Sequence, residues 1–378
     1  MQNIILGAGF AGLSSGIKTG FPIFEASDGS GGICRSYKKD GFDFSNGGGH
    51  WVFGNGLGLE FIKSLVKLNT YERISDVYIN TFFPYPFQTS SEKDIESNNG
   101  TLKHWLSNNF SKASCNIFLN PFNKRYTADL YDSIIQDDGF KTPSPGGKGF
   151  VPVFSDPIGG INTLINEMEK KCTINYSHEV IKIDTDNKIV YFSNHKSLKY
   201  KNIISTIPLN RCLKLCGNTS FSLPYTSVLV INIGAEKAKR TPKSHWIYIP
   251  YNNSASQFYR IGFYSNVNED KAPNGKVSLS VEMAFKGIDF SDLDIERITK
   301  DVVEELQDWM FIGDAITVDP TWVKTAYTWL YNKDDRSKAL KYLEDRNIFS
   351  TGRYGKWKFQ GMVESISDGL SMDLERFL

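Results

Sequence analysis

The chain has 378 residues, 40% of them apolar and 13% aromatic, long enough to bury more than one core, so two or three structural units are expected. Lysine and arginine number 43 against 42 for aspartate and glutamate, a formal net charge of +1, which excludes a strongly basic chain built to bind nucleic acid but leaves room for a local phosphate pocket. Five cysteines without a paired framework point to a reducing compartment, and no apolar run is long enough to span a bilayer.

The chain opens with an apolar run, Asn3-Ile4-Ile5-Leu6, followed by Gly7-Ala8-Gly9-Phe10-Ala11-Gly12. A second short run, Pro22-Ile23-Phe24, ends in Glu25-Ala26. This is the pattern of a dinucleotide-binding βαβ unit. Gly7 permits the tight turn, Gly9 lets the backbone approach a pyrophosphate, and Gly12 lets the helix pack close to the sheet. The helix N-terminus would hold the phosphates, and the Glu25 carboxylate would accept from ribose hydroxyls. Glu25 follows Gly12 closely, so the first helix is expected to be about one turn short. The opening segment could pass for a signal sequence, but it lacks a basic flank and is rich in glycine. As a first strand and phosphate turn it must stay attached, and a cytoplasmic protein is expected.

Farther along, Leu57 to Leu68 carries apolar residues at helical spacing. Leu102 to Ile135 reads as short helices broken at Asn120-Pro121, and Thr142 to Gly147 as a loop, so 90–150 is expected to be a helical insertion. A helix from Gly159-Gly160 to Lys171 follows, then a hairpin, Val180–Asp184 with Lys188–Phe192, and a buried strand at Asn202–Pro208. Four runs, 227–234, 245–250, 257–265 and 277–285, alternate in strand fashion and predict an antiparallel sheet on the substrate side. A helix at Leu293–Met310 and a strand at Asn347–Gly352 complete the pattern. Cys212 and Cys216 lie four apart on a predicted helix and are read as core packing. The five histidines, at 50, 104, 178, 195 and 245, are dispersed and offer no metal-ligand spacing.

The fold class expected is α/β: a Rossmann-like domain from 1–89, 151–210 and 311–378, the insertion at 90–150, and a substrate domain of antiparallel sheet and helix at 211–310. After the acidic strand, Gly31-Gly32, Arg35-Ser36, Gly41-Phe42-Asp43-Phe44 and Gly47-Gly48-Gly49-His50 form an extension that a nicotinamide site does not need. It resembles the extended FAD-binding region shared by amine oxidases, protoporphyrinogen oxidases and UDP-galactopyranose mutases. The resemblance implies FAD as cofactor, with Gly7, Gly9, Phe10, Ala11, Gly12, Glu25, Ala26, Gly32, Arg35, Ser36, Gly48, Gly49, His50, Gly352 and Arg353 as its contacts. Arg35 would neutralise the flavin diphosphate; its other reading is a surface salt bridge.

Phe83-Pro84-Tyr85-Pro86-Phe87-Gln88 is an aromatic and amide cluster held extended by two prolines, on which a planar base could stack while Gln88 reads its edge. The alternative is a hydrophobic loop capping the first domain. The segment closely resembles the uracil-binding stretch of eukaryotic-type UDP-galactopyranose mutases. His245–Pro250 with Phe258-Tyr259-Arg260 and Phe263–Asn266 resembles the stretch supplying a tyrosine and an arginine to the diphosphate. Gly352-Arg353-Tyr354-Gly355-Lys356-Trp357 resembles the last flavin-contacting turn, and Pro121–Lys124 is a fainter match.

The resemblance implies a flavin-dependent isomerase that interconverts pyranose and furanose forms of a nucleoside-diphosphate sugar through a reduced-flavin N5-sugar adduct. It further implies a role in cell-surface polysaccharide biosynthesis and a partner that reduces the flavin. Its catalytic residues would be His50, Arg260 and Arg353, and its substrate contacts Tyr85, Phe87, Gln88, Tyr248 and Arg260, with Arg260 chosen because a guanidinium can grip two phosphate oxygens. The chain departs from the family where a diphosphate-binding tyrosine is expected and Phe359 stands, and where a polar residue is expected and Met362 or Val363 stands. Two rivals share the flavin domain: an oxidase or desaturase of the amine oxidase type, and a protein that holds a flavin without turnover.

Overall fold

The computed structural model describes residues 1–85, 100–136, 151–250 and 257–377. Phe87 and Gln88, and the predicted loop at Thr142–Gly147, lie outside them.

The opening strand Gln2–Leu6 is buried at Ile4, Ile5 and Leu6 and pairs in parallel with Ile23–Phe24 on one side and Ser197–Ser205 on the other. Ile174–Asn175 extends the sheet beyond Ile23–Phe24, and Ile348–Ser350 pairs in parallel with Ile203–Ser205. The strand Ser197–Ser205 also pairs antiparallel with Ile189–Phe192, whose other partner is Val180–Asp184, so the predicted hairpin grows out of the parallel sheet. The first helix, Phe10–Thr19, spans ten residues and ends on Gly20 in the left-handed region. Met362–Leu370 packs on it because Gly369 has no side chain: a Cβ there would lie 2.7 Å from the Ala11 carbonyl oxygen. The fold is the expected α/β class.

A second seven-stranded sheet runs in the order Ala315–Thr328, Tyr225–Glu236, Lys276–Phe285, Arg260–Phe263, Trp246–Tyr248, Ser75–Tyr78, Phe82–Pro84. The four predicted strand runs all belong to it. Two of its segments correct the sequence reading: Ala315–Thr328 and Ser75–Pro84 fall in spans assigned to the cofactor domain, yet hydrogen-bond into the second sheet. The central strand Tyr225–Glu236 is buried on both faces. Val228 and Val230 join a core shared with the insertion helices, while Leu229, Ile231 and Ile233 join one with Val302 and Leu306 of the helix Ile295–Asp308.

Two helix expectations need correction. The helix expected to reach Leu68 ends at Leu65, because Leu68–Glu72 is a strand paired antiparallel with Val153–Pro157. Asn120-Pro121 does not break the insertion. Lys112–Ser114, a π-helical turn at Cys115–Leu119, and Asn120–Tyr126 follow one another without a gap. Pro121 sits in the first turn after the π-bulge, where its missing N–H costs little. Phe118, Phe122 and Tyr126 stack along this run and carry its aromatic face onto Tyr248, Tyr259 and Tyr327 of the second sheet.

Candidate active site

The glycine fingerprint is explained atom by atom. Gly7 has φ +96°, and a Cβ there would lie 2.5 Å from Thr206 Oγ1. A Cβ on Gly12 would drive into the Gly7 carbonyl. Gly9, in contrast, faces open space among the described residues, and Gly32, with φ +56°, has only the Gly9 Cα, at 3.8 Å, on its Cβ side. Two bare backbones therefore face one another beside an uncapped helix N-terminus whose first turn carries no acidic residue, a cradle that fits a diphosphate. Phe10 and Ala11 begin this helix, both buried. Glu25 accepts from the Ala8 N–H at 2.6 Å and from Ser27, N–H at 2.9 Å and hydroxyl at 2.8 Å, which ties the end of the second strand to the phosphate turn. Ala26 beyond it is exposed. Ser36 is buried and bracketed through its backbone by the Asn162 amide, at 3.0 and 2.8 Å. Arg35 Nη1 pairs with Asp28 Oδ1 at 3.2 Å on an exposed edge. Gly352, with φ +73°, abuts Ala11 so closely that no side chain fits between them, which brings the turn bearing Arg353 onto the phosphate helix.

Beyond this cradle opens a cavity of about 790 Å³, within the range of small-molecule sites. On one side lies the glycine turn. Gly48 has φ +82°, His50 Nδ1 lies 2.8 Å from the Gly48 carbonyl oxygen, and Gly49 abuts the Trp51 ring. Opposite is the turn Gly352–Trp357. Arg353 donates to the carbonyls of Gln360, at 3.2 Å, and Ala326, at 3.0 Å, and its guanidinium lies 4.7 Å from the centre of the Phe359 ring. The second sheet forms the floor. There Arg73 donates to the Tyr248 hydroxyl at 2.5 Å and lies over the rings of Tyr85 and Trp246, at 5.5 and 5.2 Å. Tyr85 and Tyr248 have ring centres 4.3 Å apart.

Arg260 carries its own partner in the cavity wall. It lines the cavity, but its guanidinium already grips both oxygens of Glu282, with Nη2 at 2.7 Å from each and Nε at 3.0 Å from Oε1. The reason is register, since Arg260 and Glu282 stand directly opposite one another on neighbouring antiparallel strands. The residue expected to greet a diphosphate as a cation is thus compensated from within the protein.

Acid–base candidates are sparse. Burial pushes the Cys34 thiol up to about 12 despite the nearby Arg353, and burial likewise pushes Tyr354 up to about 12, so both stay protonated at neutral pH. His245 is held below the ordinary histidine range by burial and by the Arg73 charge. Its Nδ1 accepts the Ile74 N–H at 3.2 Å, which requires the neutral ring. Among the described residues no group of three or more His, Cys, Asp or Glu side chains could hold a metal ion, and no helix is long and apolar enough to cross a membrane.

The profile of a family described as flavin containing amine oxidoreductase matches residues 85–365. The chain belongs to that family. Its cofactor is FAD, and the cradle of Gly7, Gly9, Gly12, Glu25 and Gly32 is where this family member would hold it. The chain also resembles three solved structures over nearly its whole length. One is reduced UDP-galactopyranose mutase, with TM-score 0.84, 21% identity, and 98% of this chain and 92% of that one covered. Another is a putative protoporphyrinogen oxidase from Exiguobacterium sp. 255-15, with TM-score 0.72, 13% identity and coverage of 98% and 97%. The third is putrescine oxidase with putrescine bound, with TM-score 0.66, 15% identity and coverage of 98% and 97%.

The cavity of this amine oxidoreductase relative brings together His50, Tyr248, Arg260 and Arg353, with the Tyr85 ring tilted against that of Tyr248. Arg35 lies apart from it on the surface. Sequence reasoning missed Arg73, Glu282 and Tyr327, all of which line it. One signal was available: Glu282 is the only carboxylate in the otherwise uncharged run Val277–Phe285, and a charge in such a run calls for a buried partner. Arg73 gave no comparable signal.

Proposed function

We propose that the chain is an FAD-dependent mutase that interconverts pyranose and furanose forms of a nucleoside-diphosphate sugar. The observation that carries this reading is Arg353. It sits in the cavity wall on the turn next to the phosphate helix, its side-chain hydrogen bonds go to two backbone carbonyls, and no carboxylate among the described residues forms an ion pair with it, an arrangement that suits an anionic ligand. Such a wall attracts a diphosphate and repels a protonated amine. The aromatic flank of Tyr85, Tyr248 and Trp246 beside Arg73 suits a planar base. The similarity in fold to UDP-galactopyranose mutase and the matching sequence segments support the same reading.

When bound, reduced FAD supplies a nucleophilic N5 for the anomeric carbon of the sugar. The residues of this chain do the rest. Arg353 takes the charge of the departing diphosphate, the aromatic flank keeps the nucleotide close while it is detached, and His50 approaches the ring from the glycine turn.

The second reading is an oxidase or desaturase of the amine oxidase type. Phe359 favours it, because it lies against Arg353 and carries no hydroxyl to donate to a phosphate. Anaerobic reduction of the flavin, followed by a panel of uridine and thymidine diphosphate sugars with ring size read by NMR, separates the two. Pyranose–furanose exchange only with reduced flavin supports the mutase and identifies its sugar. Flavin reduction by an added amine or other donor without ring exchange overturns it in favour of the oxidase.

A further inference from the structure

The carboxylates along the cavity wall differ in what they hold. Asp368 pairs with Lys356 at 2.8 Å and accepts from Gln360, and Glu364 accepts the Gly361 N–H at 3.0 Å at the start of the helix Met362–Leu370. Glu282, only 3% exposed, spends both oxygens on the arginine in the floor and also accepts the Tyr259 hydroxyl at 2.8 Å. It stands directly against the turn that carries His50, since a Cβ on Gly48 would lie 3.0 Å from Oε1. Glu282 therefore sits where Arg260 and the histidine-bearing turn meet.

We propose that Glu282 is a positioning residue that competes with the substrate's diphosphate for Arg260. This rests on the reading of the cavity as a nucleoside-diphosphate site. In the unliganded protein the carboxylate is the counter-ion of a buried guanidinium. A diphosphate entering the cavity meets a cation that is already compensated, so its attraction to Arg260 is weakened and Glu282 sets the affinity. Removing the carboxylate's charge while keeping its shape leaves a buried cation without its counter-ion, which destabilises the free protein and strengthens its hold on any anion that arrives. A purely architectural glutamate has a different signature, because its loss disturbs the site and weakens binding.

The test uses FAD-loaded wild type, Glu282→Gln and Glu282→Asp, titrated calorimetrically with UDP and melted with and without it. For Glu282→Gln the expected outcome is a UDP Kd lower by about fivefold or more, a lower Tm without ligand, and a UDP-induced rise in Tm larger than that of wild type. Glu282→Asp keeps the charge but withdraws it by one methylene, and falls between the two. Should Glu282→Gln not fold, Tyr259→Phe serves instead. Without the phenol the carboxylate is left wholly to Arg260, and UDP binds more weakly than to wild type. An unchanged or higher Kd in Glu282→Gln, or an unchanged Kd in Tyr259→Phe where only that variant folds, overturns the proposal while leaving the nucleotide site standing. Wild type that binds neither UDP nor thymidine diphosphate overturns the nucleotide reading itself and this inference with it.

Discussion

Arg353 shows how backbone geometry can leave a charge available inside a protein. Its two hydrogen bonds to the carbonyls of Gln360 and Ala326 fix the plane of the guanidinium without neutralising it, and the rings of Tyr327, Tyr354 and Phe359 lie around it. Arg353→Met keeps the aliphatic stem and removes the charge. A charge-assisted contact contributes roughly 1.5–3 kcal/mol, so the variant should bind UDP about tenfold or more weakly, measured by titration of the oxidised, FAD-loaded protein. Equal affinity would mean that Arg353 does not touch the phosphates. A second residue-scale expectation concerns acid. His245 has a folded pKa below its ordinary 6.5. As the pH falls through about 6.5, the unfolded chain takes up a proton that the folded site resists, because protonated Nδ1 would point a donor at the Ile74 N–H. The stability contributed by neutral His245 is thus present above that pH and lost below it. Tm should fall more steeply below pH 6.5 in the wild type than in His245→Gln, and parallel pH–Tm curves would show that His245 contributes nothing. At this scale the sequence indicated chemical type better than pairing. His50, Tyr248, Arg260 and Arg353 do line the cavity, but that Arg260 is opposed by Glu282 depends on strand register, and register is a long-range property that no local pattern carries.

At the scale of elements, three glycines decide how closely the phosphate turn, the turn bearing Arg353 and the helix Met362–Leu370 approach the first helix. Gly12 clears the Gly7 carbonyl, Gly352 clears Ala11, and Gly369 clears Ser14 and the Ala11 carbonyl. Gly369 holds the helix Met362–Leu370 against the phosphate helix, so it tests how that packing supports the cradle. Gly369→Ala must push Met362–Leu370 away from Phe10–Thr19, and overpacking of this kind costs about 1–3 kcal/mol. The expected readouts are a lower Tm and a weaker hold on FAD, since the displaced helix follows directly on the turn bearing Arg353. A lower Tm with unchanged FAD affinity would separate the packing from the cradle. Strong periodicity made most of these elements legible, as with the hairpin Val180–Phe192 and the helix Ile295–Asp308. The failures have local causes. Asn120-Pro121 reads as a break only if the helix before it is α-helical throughout, and the π-turn at Cys115–Leu119 removes that premise. Ala315–Thr328 carries Pro320 and Lys324 within a long strand and so lacks clean alternation, yet it pairs along nearly its whole length with Tyr225–Glu236.

For the molecule as a whole, what matters is how the chain divides itself between the two sheets. The parallel sheet takes Gln2–Leu6, Ile23–Phe24, Ile174–Asn175, Ser197–Ser205 and Ile348–Ser350, drawn from both ends and the middle of the chain. The second sheet takes Ser75–Tyr78 and Phe82–Pro84 from the first third and Ala315–Thr328 from the last. The fingerprint at Gly7–Gly12 announces the first sheet because phosphate binding imposes local rules. Which distant strand pairs with which is decided by buried area and leaves only a weak local trace, and for that reason the sequence reading leaves the strands Ser75–Tyr78, Phe82–Pro84 and Ala315–Thr328 inside spans expected to belong to the cofactor domain. Such interleaving has a thermodynamic consequence. Neither sheet is a continuous stretch of chain, and the cavity between the glycine cradle and the second sheet is lined from both. The protein should therefore unfold as one cooperative unit, and a ligand that binds only the folded state should raise the single Tm of that unit, by about 2.7 kcal/mol of stabilisation at a hundredfold excess of FAD over its Kd. Differential scanning calorimetry of the apoprotein and of FAD-loaded protein tests this directly. A single transition that moves upward as a whole is the expected result. Two transitions of which only the lower or the upper responds to FAD would mean that the two sheets hold together independently, and that the cofactor reports on one of them alone.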